Sequence, residues 1–143
     1  MKYVKPAIWI YLFGMLGLSS LPGITLGTES ETHKLVGGME IYIGMIPAEV
    51  VRGRDLPETK MHGAPPRGKN RYHLVVALFD EKTRQRIIDA NITANVAGLG
   101  LGGTTKILEQ MRVNDLVSFG NYFPLPDNTP YQVRLKLEVP GKP

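Results

Sequence analysis

There is no cysteine anywhere in this chain. That excludes disulfides, thiolate catalysis, thiolate metal ligation and a lipid-modified N-terminal cysteine. Histidine is scarce, with 3 residues, and neither a G-x-S-x-G nor an H-E-x-x-H motif occurs. Nothing selects a hydrolytic triad, and we expect no enzyme and no catalytic residue. A large charge excess is also missing. The chain carries 17 basic and 13 acidic side chains, and Lys2 and Lys5 are the only charges in residues 1–27. Without that segment the excess falls from +4 to +2. General affinity for nucleic acid is therefore not expected.

Only one long hydrophobic run exists, Ala7 to Leu18. It is shorter than the ~20 residues that a membrane span needs. Lys2 and Lys5 precede it, Ser19, Ser20, Pro22 and Gly23 end it, and Thr25-Leu26-Gly27 places small residues at −3 and −1. This is the layout of a secretory signal. We expect residues 1–27 to be a signal peptide cleaved after Gly27, export by the Sec pathway to a bacterial periplasm, and no membrane span in the mature chain. Asn91-Ile92-Thr93 has the form of a glycosylation sequon, which in a bacterial protein means nothing.

Residues 28–36 are polar at their start and read as a flexible leader, with the folded domain at 37–143. Met39, Ile41, Ile43 and Met45 alternate with Glu40, Tyr42 and Gly44, which predicts a strand that Ala48–Val51 could extend past Pro47. From Arg52 to Arg71 six basic residues meet two acids among Pro57, Pro65, Pro66 and several glycines, so a long loop is expected. Tyr72–Asp80 is apolar on both faces and reads as a central strand, with His73, Val75, Ala77 and Phe79 on one side. Arg86–Asp89 is a short strand or bend. Strands follow at Asn91–Ala97, at Thr104–Met111 (with a short helix as the alternative) and at Leu116–Phe123. Val133, Leu135, Leu137 and Val139 alternate with Gln132, Arg134, Lys136 and Glu138, as in a strand with one face on a core. The fold class is therefore all-β, an immunoglobulin-like antiparallel β-sandwich of about seven strands. Gly98–Gly103 matches G-x-G-x-x-G by letter, but no βαβ unit surrounds it, and it reads as a glycine-rich turn.

The residues that could carry chemistry are Met61, His62, His73 and Met111. Thioether and imidazole are soft or borderline donors that suit Cu(I), and both ligate without carrying a negative charge. Met39 and Met45 sit on the apolar face of a strand and read as core, while His33 belongs to the leader. Met61-His62 lies in a loop with no obvious core to fill, so packing explains this pair least.

Gly38-Met39-Glu40-Ile41, Tyr72-His73-Leu74, Leu108-Glu109-Gln110-Met111, Phe119-Gly120-Asn121 and the stretch from Tyr131 onward resemble, in order and spacing, the periplasmic Fe²⁺-transport accessory proteins. The resemblance covers most of residues 37–140. It implies an immunoglobulin-like domain that binds copper and iron beside an iron permease. In that family an H-L-E histidine, a P-M methionine and a histidine before Y-G-x-N contribute ligands. The first falls on His73 and the second on Met111. The H-L-E glutamate falls on Val75, the later histidine on Ser118, and Phe119 stands where the family has tyrosine. A further C-terminal histidine finds no counterpart. Either Met61 and His62 replace the missing ligands, or the metal has been lost and the fold kept.

Together these features lead us to expect a periplasmic accessory protein that binds a transition metal, copper before iron, and passes it to a membrane permease or metalloprotein partner, with a homodimer as an allowed state. A non-metal interaction module stabilising a periplasmic or membrane complex is the alternative.

Overall fold

The computed structural model describes residues 32–52, 65–113, 115–125 and 130–143. The expected signal segment lies outside them, as do Met61 and His62 of the long loop. The described residues form β1 (His33–Val36), β2 (Met39–Pro47), α1 (Ala48–Arg52), β3 (Arg71–Asp80), β4 (Asn91–Gly98), β5 (Thr104–Val113), β6 (Leu116–Pro124) and β7 (Tyr131–Glu138). All pairings are antiparallel, in the order β1-β2-β3-β6-β5-β4-β7.

One strand turns this ladder into two layers. β5 pairs with β4 through Thr104–Leu108 and with β6 through Glu109–Val113. The sheet curls over there, and its two halves close on a shared apolar core. Ile41 of β2, Leu74, Val76 and Leu78 of β3, and Phe119 and Phe123 of β6 meet Ile92, Ala94 and Val96 of β4 and Leu108 of β5. Val133, Leu135 and Leu137 of β7 pack against them from the edge. This is the all-β, immunoglobulin-like sandwich that the alternation predicts. Thr104–Met111 is strand and not helix, because its cross-strand partners on both sides claim its backbone.

Two local readings differ from the sequence expectation. The last four residues of the expected leader are β1. Gly37 and Gly38 take φ of +58° and +72°, the two positive values that a tight hairpin turn of the primed kind requires, and they return the chain from Val36 onto Met39. The Gly-Gly pair between two strand-forming segments was the available signal. Past Pro47 the chain does not stay extended but makes the short helix α1. Ala48 and Val51, three apart, bury one helical face, and the helix packs on β2 and β3. Arg86–Asp89 contributes one bridge, Phe79 to Arg86, and otherwise forms no strand.

The C-terminus is tied back. The Lys142 ammonium donates to the Asp80 carboxylate at 2.5 Å and to the Gly38 carbonyl at 3.1 Å, while the Lys82 and Thr83 amides donate to the other Asp80 oxygen.

Candidate metal centre

Alternation sends Leu74, Val76 and Leu78 of β3 into the core, so His73 and Val75 face outward from the sandwich. His73 is nevertheless fully buried. Its cross-strand partner on β6 is Tyr122, and the two rings stack at 4.6 Å with 24° between planes. Two residues back along β6, on the same face, is Gly120, opposed by Val75 on one side and by Glu109 of β5 on the other. Met111, two residues beyond Glu109, opposes Ser118 and is also fully buried.

This register brings two of the sequence-predicted ligands together. A Cβ on Gly120 would lie 2.8 Å from His73 Nε2 and 2.7 Å from Met111 Cε. The imidazole nitrogen and the thioether methyl thus converge on the small volume that glycine leaves open. The Leu74 carbonyl, 2.8 Å from the same point, closes it from the backbone side. The three positions to which the family resemblance assigns a ligand (His73, Met111 and Ser118), and Val75 at the position of the H-L-E glutamate, lie with Gly120 on one face of β3-β6-β5. Val75 has no donor, and Ser118 offers a hydroxyl.

Met61 and His62 lie outside the described residues. His33 is elsewhere. It stacks on Tyr42 at 4.6 Å, with its Nε2 3.0 Å from Glu40 Oε1. Tyr42 opposes Ala77, four residues along β3 from His73, a separation of roughly 13 Å. Glu40 is the buried carboxylate of this second cluster. Arg84 pairs with it, the Tyr42 hydroxyl donates to it at 2.8 Å, and these contacts hold its carboxyl below the usual range, Arg84 having the largest effect. With Arg84 paired to it, this carboxylate suits an ion pair better than a cation site. Among the described residues no group of three or more His, Asp or Glu side chains could hold a metal ion. His73 and Met111 bring one imidazole nitrogen and the methyl end of one thioether side chain to the same small volume.

No family model and no curated protein matches the sequence. Solved structures share its fold, among them the following two. A DUF4426 family protein from Pseudomonas aeruginosa PAO1 superposes with a TM-score of 0.57 at 18% identity, over 78% of this chain and 84% of that one. A copper-bound variant of FetP from uropathogenic Escherichia coli strain F11 superposes with a TM-score of 0.58 at 16% identity, over 76% of this chain and 73% of that one. At such identities the likeness establishes the sandwich fold. Among the described residues, no helix is long and apolar enough to cross a membrane.

Proposed function

We propose that this protein is an exported copper-binding accessory protein, which holds Cu(I) between His73 and Met111 and delivers it to a membrane permease or metalloprotein. The observation that carries the reading is the meeting of a buried imidazole nitrogen and the methyl end of a buried methionine over Gly120, where a Cβ would not fit. The donor set agrees with the ion: soft thioether and borderline imidazole suit Cu(I), whereas Mg²⁺ and Ca²⁺ call for oxygen. A fold shared with copper-bound FetP supports the same reading. Met61 and His62 are candidates to complete the coordination. Iron is the second choice of cargo, since neither of the two converging donors is an oxygen. The secretory signal read in residues 1–27 would deliver the chain to the periplasm, where no disulfide is needed to hold this core.

A Cu(I) competition titration on the chain beginning at Thr28 tests the proposal, with His73→Ala and Met111→Leu alongside. Each substitution is expected to weaken binding by about tenfold or more, which is ~1.4 kcal/mol per factor of ten. Binding should also weaken as the solution is acidified, because a protonated imidazole cannot ligate. If the wild type binds no more tightly than the double variant, the site does not exist and the interaction-module reading takes its place.

A further inference from the structure

The run Gly98-Leu99-Gly100-Leu101-Gly102-Gly103 leaves two leucines out of the core. It joins β4 to β5 by a turn in which the Leu101 amide donates to the Gly98 carbonyl at 3.0 Å and Gly100 takes φ of +77°. The flanking glycines have no side chains to cover the leucines, and Leu99 and Leu101 stand 68% and 61% exposed. The Leu99 amide donates to the Pro130 carbonyl at 2.8 Å, which holds the start of β7, with its exposed Tyr131, against the same turn. The antiparallel order brings the start of β3 to this rim as well. Lys69, Arg71 and Leu101 line one cleft there, together with Pro124. Residues 65–71 hold three exposed basic side chains, Arg67, Lys69 and Arg71, and no acid, while residues 96–104 carry no charge. Glu49 of α1 shares a neighbouring cleft with Lys69 and Arg71, and the three basic residues outnumber it.

We propose that this rim docks on an anionic lipid surface, with Leu99 and Leu101 entering the boundary between headgroups and acyl chains and Lys69 and Arg71 meeting the lipid phosphates. Single exposed leucines are common on protein surfaces, but here two share one turn, beside a tyrosine and a basic segment. Apolar side chains and cations side by side are the two attractions that hold a peripheral protein on a bilayer. Tyr131 suits the same layer, since its ring is apolar and its hydroxyl polar. A protein partner would need a pocket matched to the two leucines, whereas the lipid interface accepts a turn of any shape. The inference needs no metal and stands apart from the copper reading.

The test is flotation with vesicles of phosphatidylcholine, with and without phosphatidylglycerol. It uses the chain from Thr28 on, which holds every described residue and omits the Ala7–Leu18 run, itself apolar enough to enter lipid. The wild type should float with the anionic vesicles, and less so as salt is added. Leu99→Ser with Leu101→Ser should weaken that binding by about tenfold or more, and so should Lys69→Gln with Arg71→Gln. All four side chains are exposed, so both double variants should keep the wild-type melting temperature. Leu116→Ser removes an exposed leucine at the start of β6, on the opposite rim, and should bind as the wild type does. A wild type that stays off the anionic vesicles overturns the proposal and turns the basic rim toward an acidic protein. Undiminished binding by the Leu99→Ser, Leu101→Ser protein overturns the insertion of the turn, and an equal loss in Leu116→Ser overturns the choice of rim.

Discussion

Gly120 shows how one missing side chain shapes this molecule. Its neighbours His73, Met111 and the Leu74 carbonyl all lie within 2.8 Å of where a Cβ would be. The two side chains could shift, but the carbonyl belongs to the β3 backbone and cannot. Gly120→Ala is therefore expected to destabilise the fold by about 1–3 kcal/mol through overpacking, and to lower Cu(I) affinity by driving the donors apart. Thermal unfolding and the same competition titration read the two effects. An alanine variant with the wild-type melting temperature would mean that the cradle is looser than its geometry. His73 was visible in the sequence as a histidine at a strand start, and Met111 through the resemblance. Their convergence was not, because it depends on Gly120, which carries no chemistry of its own.

Among the elements, β7 and β5 contrast. β7 shows its function in its letters. Val133, Leu135 and Leu137 face the core while Gln132, Arg134, Lys136 and Glu138 are exposed. Because β7 lies at the end of the sheet order and, among the described strands, pairs with β4 alone, its apolar side chains are half-buried and not fully so. Leu135→Asp places an unpaired charge against Ala94 in the β4–β7 pair and should cost on the order of 2 kcal/mol or more. Denaturant unfolding measures it, and an unchanged midpoint would rule out this packing. β5 hides its role. It serves two layers at once, so Leu108 points into the core and Met111 is buried on the outer face. Its buried residues therefore lie three apart, without the alternation that marks β7.

At the scale of the whole molecule, charge pairs tie distant ends of the chain together. Lys142 grips both the Gly38 carbonyl in the first hairpin and Asp80 at the end of β3. Its ammonium, followed by the Thr83 amide and hydroxyl, holds the Asp80 carboxyl well below the usual carboxylate range. Glu40 is held low in the same direction, by Arg84 first. Carboxyls whose folded-state pKa is depressed stabilise the fold fully above their unfolded value of ~4 and lose that contribution as the pH falls further. Stability should thus be flat from neutrality to about pH 5 and decline below ~4. Asp80→Asn should be less stable near neutrality and show a shallower acid decline, measured by melting temperature against pH. Equal acid sensitivity in both proteins would remove Asp80 from the account.

The sequence by itself determined the class of the fold. Alternation with a period of two depends only on which side chains avoid water, and it marked most of the strands, the central position of β3 and the amphipathic β7. It also nominated His73 and Met111, by donor chemistry and by resemblance. Tertiary structure alone decided what those residues meet. Strands separated by a long loop and a turn become neighbours through hydrogen-bonding register, and a register cannot be read from any one strand. The β3-β6-β5 order sets His73, Gly120 and Met111 on one face. The Gly37-Gly38 turn likewise made β1 out of a segment that, without its partner strand, looked like a leader. Local patterns report burial, and pairing across the sheet decides proximity.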